Sequence, residues 1–359
     1  MTAISKAVFN NKEQAFFKSL REKVDAYMSD QRLYREGLAR IGTKAAILFT
    51  VFVTSYVTLV FFTPNVWISL LLCVVLGLTM AGIGFNVMHD GAHGSFSKRK
   101  WVNDLMGYSL NLLGGNVELW KIKHNFNHHT YTNIDGLDDD IDIRPFIRCA
   151  ESQPKFWFHR FQHYYWAVLY GLTYLLWVYV QDFRKYFSGK VGNIKFRKFT
   201  LKDHIVFWLT KVIYLFLFIG LPWYKLGFVP MLIGYLTTCV VTGFVIAVVF
   251  QLAHVVEEAH FPEISDGQTL AKIEDEWAVH QIRTTANFAT RSKLVRWYTG
   301  GLNHQVEHHL FPRISHVHYP AINQFVMETC KQFGIKYIEY PTVFSALKSH
   351  VNYLRTVGA

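Results

Sequence analysis

The chain has 359 residues, of which 51% are hydrophobic and only 18% charged. Soluble domains carry about 25% charged residues, so this composition points to a membrane protein. The net charge of +11 is spread between apolar blocks, which suits an anionic lipid surface and excludes a nucleic-acid binder with a basic face.

Residues 1–44 are mixed polar and charged, lack the apolar core of a secretory signal, and read as a cytosolic segment. Residues 45–62 and 66–88 are each uncharged and long enough for a bilayer crossing, which takes about 20 residues. Only Thr63, Pro64 and Asn65 separate them, so 45–88 forms a transmembrane hairpin. The stretch 89–204 is polar apart from 164–181, which is uncharged, rich in Tyr and Trp, and flanked by Arg160, Arg184 and Lys185. That pattern predicts a helix lying in the membrane interface.

Residues 205–253 form a second hairpin, its arms 205–224 and 226–253 meeting at Lys225. Lys211 is the one charge inside the third span. It lies about 9 Å from the span's start at 1.5 Å per residue and is expected to snorkel to the near interface. The fourth span is longer than the bilayer needs, so its end should project beyond the lipid. The fold class is therefore all-α integral membrane: two hairpins, an interfacial helix, and a helical cap that includes 254–359. The outer turns carry a single basic residue, so the positive-inside rule places the cap in the cytosol.

The 17 histidines concentrate where the spans end. His89 and His93 follow the second span, His124, His128 and His129 come next, His254 closes the fourth span, and Gln305, His308 and His309 complete the set. Spacings of four (89/93, 124/128) and three (305/308) put side chains on one helical face. The doublets 128/129 and 308/309 add a second direction, so one segment can serve two ions. Lone histidines at 159, 163, 204, 280 and 350 read as ordinary amphipathic side chains, whereas His260, His304, His316 and His318 lie near enough to support the clusters. Cys73, Cys149, Cys239 and Cys330 form no CxxC pair, which excludes a zinc ribbon or disulfide scaffold. Seven or eight imidazoles are too many for one ion, and they suit Zn, Cu, Fe or Ni. Asp90, Glu307 and the run Asp138-Asp139-Asp140 are candidate carboxylates behind them, the run being equally readable as a solvated turn. Trp120, Gln281 and Asn303 are placed to line a pocket.

HDGAH (89–93), HNFNHH (124–129) and QVEHH (305–309), in this order around two hairpins, resemble the membrane fatty acid desaturase family. Gln305 at the head of the last motif resembles its front-end, linoleoyl-CoA-desaturase-like branch. The resemblance implies a di-iron centre that uses O2 and two electrons to place a double bond in an acyl chain. It implies ligation by His89, His93, His124, His128, His129, His308 and His309, with His254 added from the last span and Gln305 in a position that is histidine in other branches. The acyl group would arrive on coenzyme A, an acyl carrier protein or a membrane lipid. Many front-end members carry a fused cytochrome b5 domain with a His-Pro-Gly-Gly signature. No His-Pro pair occurs here, so a separate donor is expected, cytochrome b5-like or a ferredoxin with its reductase. The same features lean toward a bacterial cytoplasmic membrane rather than endoplasmic reticulum. Two rivals remain: a histidine-box lipid hydroxylase, which ligand spacing does not separate from a desaturase, and a histidine-rich metal transporter. The transporter needs ionisable residues at mid-membrane, and spans one, two and four carry no charge.

Overall fold

The computed structural model describes residues 6–192, 194–262 and 270–359. Among these residues, four helices are long and apolar enough to cross a membrane: Gln31–Phe62, Val66–His93, Leu201–Leu226 and Phe228–His254, the first to fourth spans. The chain is an integral membrane protein, mostly helical. Asn65 turns the first hairpin, its side-chain oxygen accepting from the backbone N–H groups of Trp67 and Ile68 (3.1 Å each) and so capping the second span.

Two boundaries differ from the sequence expectation. The helix of the first span starts at Gln31 rather than 45, capped by Asp30, which accepts from the Arg32 N–H (2.7 Å). Apart from Gly37 and Gly42, residues 31–44 are mostly good helix formers (Gln, Arg, Leu, Glu, Ala, Lys), so the helix extends past the apolar segment. The second span does not stop at Met88. It widens into a π turn over Gly84–Met88, carries HDGAH as its last turn, and ends at Gly94 with φ +75°. The first histidine pair is thus the tip of a span.

The second and fourth spans meet closely through small residues. Thr238 donates to the Cys73 carbonyl (3.2 Å) and Thr242 to that of Gly77 (3.1 Å). The aromatic helix Gln162–Leu176 lies on the other side of the fourth span and exposes Tyr164, Val168, Leu172 and Leu176 at a spacing of four. At the contact, a Cβ on Gly243 would fall 2.7 Å from the Gly171 carbonyl oxygen. Gly243→Leu is therefore expected to destabilise the protein by about 1–3 kcal/mol through overpacking, seen as a lower melting temperature in detergent. An unchanged melting temperature would contradict this contact.

Lys211 does not snorkel. It is buried, donating to Asp182 (2.8 Å) and to the carbonyls of Gly114 (2.6 Å) and Val178 (2.9 Å). A single charge in an apolar helix looks the same in sequence whether its partner is water or a carboxylate 29 residues away.

Beyond the span ends, the helices Ala15–Met28, Trp277–Arg283, Gln305–Leu310 and Tyr319–Phe333 pack around Leu20, Ile282, Val306 and Ile322 as a cap. The all-helical expectation omitted three short strand pairs. Lys6–Phe9 pairs in parallel with Leu270–Ile273, and Asn287–Phe288 with Glu339–Tyr340, while Lys190–Val191 pairs antiparallel with Ile194–Lys195. His159, His280 and His350 are buried rather than interfacial. Each has a backbone partner: the Pro145 (2.7 Å), Thr132 (3.0 Å) and Val255 (2.6 Å) carbonyls respectively.

Candidate metal centre

The histidines converge from four segments into two buried groups. His89, His93, His124 and His308 bring ring nitrogens within 4.8 Å of one another, as do His128, His254 and His309. Neither group is a sequence motif. Of HNFNHH, the first histidine joins one group and the second the other within the π turn Ile122–His128, and the two also lie within 4.8 Å of one another together with Asp140. The doublet His308-His309 splits the same way, adjacent residues on a helix pointing in different directions. His129 stands between the groups, its ring 4.5 Å from both His308 and His309 and its Nε2 3.3 Å from that of His124. The side-chain amide of Gln305 belongs to the second group, 3.2 Å from His254 Nε2 and 3.4 Å from His309 Nε2.

Three of the nitrogens facing inward lack partners, while several facing outward have them. His93 Nε2, His128 Nε2 and His308 Nε2 are buried with no hydrogen bond, and His89 Nε2 meets His124 Nε2 at 3.3 Å. Buried imidazole lone pairs turned on one another are costly unless a cation sits between them. On the outer side, His128 Nδ1 donates to Asp138 (3.0 Å), His309 Nδ1 to the Gln281 oxygen (2.7 Å) and His254 Nδ1 to the Thr284 carbonyl (3.4 Å), while His308 Nδ1 bonds to the Tyr319 hydroxyl (3.2 Å). Such bonds fix the tautomer that leaves Nε2 free for a metal. The donor set fits metal ions.

Burial, reinforced by neighbouring imidazoles, holds His129, His308 and His309 well below the usual imidazole pKa and pushes His124 down to about 3. These rings are neutral at physiological pH, as ligands must be. His128 differs: burial lowers its pKa, but the Asp138 and Asp140 carboxylates carry it above the ordinary value. They favour positive charge on that ring, whether from a proton or a metal.

The acidic run folds inward rather than forming a solvated turn. Asp138 is buried against His128, Asp140 lies 3.6 Å from His124 Nδ1 and pairs with Lys123 (2.7 Å), and Asp139 pairs with Lys185 (2.9 Å). Asp90 accepts from His316 Nδ1 (3.0 Å) and lies 3.9 Å from His89 Nδ1. Trp120 stacks on His124 at 4.4 Å. Asn303, His304 and Glu307 point elsewhere. Asn303 donates to the Phe288 and Ala289 carbonyls, His304 contacts Asn303, and Glu307 accepts from Asn287 and Asn323. Burial pushes Glu307 up to about 7. Proximity in sequence misplaced all three: Asn303 and His304 precede the short helix Gln305–Leu310, and Glu307 lies on its face away from the histidine groups.

Sequence reading missed Tyr319, Thr132 and Asn133. Asn133, at φ +58°, donates to the carbonyls of His254 (3.0 Å) and Thr284 (3.2 Å), tying the second motif to the fourth span. An Asn directly after HNFNHHTYT, a type that tolerates left-handed backbone, was the available signal. Asp138→Asn is expected to weaken metal retention about 10–100-fold against a chelator. Retention equal to that of the intact chain would mean the carboxylate does not support His128.

The fatty acid desaturase family model matches residues 65–341. The chain is 34% identical to an sn-1 linoleoyl-lipid 6-desaturase of Arthrospira platensis over 100% of its own length and 96% of that protein. It is 36% identical to a Synechocystis protein of the same description, covering 96% of each. It is also 36% identical to an acyl-lipid (8-3)-desaturase of Physcomitrium patens, over 96% of this chain and 72% of that one.

Proposed function

Because the chain belongs to the fatty acid desaturase family, we propose that it introduces a double bond into the acyl chain of a membrane lipid, with iron in both histidine groups and O2 as oxidant. The observation that carries this reading is the pair of buried imidazole groups at one end of the spans, with an apolar cavity alongside. His89, His93, His124 and His308 would hold one ion. His128, His254 and His309 would hold the other, with the Gln305 side-chain oxygen once its amide turns over, and His129 is available to either. Bound iron, O2 and two electrons supply the oxidising power needed to take two hydrogens from neighbouring methylenes.

The chain's own residues supply position and dryness. The cavity passes His89, His128 and His254 and is walled by Trp120, Phe250, Ile246 and Tyr170, which keep an acyl chain beside the metals and water away. Stacking of Trp120 on His124 holds that imidazole in place. A polar cleft bounded by Arg144, Arg184, Lys185 and Lys190 adjoins the cavity, sharing Asp139, Asp142, Gln181 and Lys185 with it, and suits a lipid head group. The charge asymmetry of the turns supports a cytosolic location for this end. The relatives from Arthrospira and Synechocystis support a bacterial membrane. Electrons would come from a carrier protein of the cytochrome b5 or ferredoxin type.

The test is the fatty acid profile, by gas chromatography and mass spectrometry, of a bacterial host expressing the chain. A new unsaturated species is expected. A hydroxylated species would transfer the site to lipid hydroxylation.

A further inference from the structure

Two apolar cavities, one of about 170 Å³ beside the histidines and one of about 370 Å³ deeper between the spans, are lined by the same two helices. The lining changes from one cavity to the other within a single turn. Met80 and Thr242 face the upper cavity, and Leu76 and Thr238 face the lower. Tyrosine fills the turn between. Tyr174 lines the upper cavity and Tyr235 the lower, and Tyr214 bonds to both hydroxyls (3.1 Å and 2.8 Å).

Resting on the desaturase reading, we infer that Tyr174, Tyr214 and Tyr235 form the floor of the acyl cavity and set the longest chain the enzyme accepts. The three sit in a core of Met80, Leu113, Val178 and Cys239, where leucine or phenylalanine would pack without polar groups to satisfy. Their hydroxyls are instead joined in one network. Tyr174 also donates to the Leu113 carbonyl, and Tyr179 bonds to Tyr235 (2.6 Å). A satisfied buried network holds rings in one arrangement, as a fixed floor requires. The Tyr214 ring stacks on Phe218 (4.9 Å) and lies under Gly114, where a Cβ would come within 2.8 Å of it. The depth follows from the helices. His254 to Thr242 spans about 18 Å and His89 to Met80 about 13 Å at 1.5 Å per residue. A chain whose reacting carbons lie at the histidines has that much room for its methyl end, and the empty cavity below becomes usable only if the floor opens.

The test uses the full chain in a host fed linoleate and, in turn, shorter and longer acids with the same two double bonds counted from the carboxyl, because the relatives from Arthrospira and Synechocystis are linoleoyl-lipid desaturases, with newly unsaturated products read by gas chromatography and mass spectrometry. Tyr235→Ala removes the ring on the lower cavity's side of the floor and the hydroxyl that Tyr214 bonds to, and is expected to raise the ratio of longer to shorter unsaturated products about tenfold or more, the scale of discrimination a hydrophobic pocket gives per methylene. Thr173→Leu adds bulk above the floor, on the cavity-lining face of the aromatic helix, and should move the ratio the other way. It also decides the matter if Tyr235→Ala does not accumulate in the membrane. An unchanged length profile in the accumulating variants, beside an active intact chain, overturns the floor alone. An intact chain that makes no unsaturated product overturns the desaturase reading and this inference with it.

Discussion

His308→Ala is expected to abolish unsaturated product and to empty the first metal group. His308 sits among His89 (4.4 Å between ring centroids), His129 (4.5 Å) and His93 (4.9 Å), with a buried Nε2 that has no hydrogen-bond partner. Alanine removes one of four nitrogens, and a water entering the gap among the remaining imidazoles is a weaker ligand than the ring it replaces. Losing a residue that merely supports a ligand costs about 10–100-fold in metal affinity or activity, so losing the ligand should cost more than about 100-fold. His316→Ala is the graded comparison, because His316 reaches the group only through Asp90 and should fall within the supporting range. Product formation by His308→Ala within tenfold of the intact chain would show that this nitrogen does not hold metal.

Asp182→Ala is expected to cost about 3–5 kcal/mol of stability, the usual penalty for leaving a buried charge unpaired. Asp182 is 1% exposed and Lys211 4%. Once Asp182 is gone, Lys211 keeps the Gly114 and Val178 carbonyls and the rings of Phe183 (5.3 Å) and Phe207 (5.6 Å), none of them an opposite charge, to offset its desolvation. The bond also ties the third span to the end of the aromatic helix, so its loss should loosen the wall of the acyl cavity. The double variant Asp182→Leu with Lys211→Met should recover much of the loss, since paired apolar residues replace a buried ion pair well. Thermal unfolding in detergent measures both. A double variant as unstable as the single one would mean that the apolar pair does not fit the space.

The spans and the box histidines were legible because each depends on a local pattern, an apolar run or a histidine spacing. Assignment of each histidine to a group was not, since the π turn over Ile122–His128 and the divergence of His308 from His309 depend on backbone geometry. The supporting residues were legible only where a carboxylate or amide happened to fold inward. Asp90, Gln281 and the acidic run reach histidines, while Asn303, His304 and Glu307 serve the cap. Lys211 was misread because its partner lies in another helix, and no periodicity within one segment reports a contact between two. The tyrosine floor is invisible for the same reason, its members coming from three segments.

The most direct measurement is metal analysis of the purified intact chain beside His254→Ala. Two buried imidazole groups predict about two iron ions per chain, with one lost when His254 is removed and the first group kept. A chain that retains a single ion, or zinc in place of iron, or whose content does not change in His254→Ala, would contradict a di-iron centre divided between these groups.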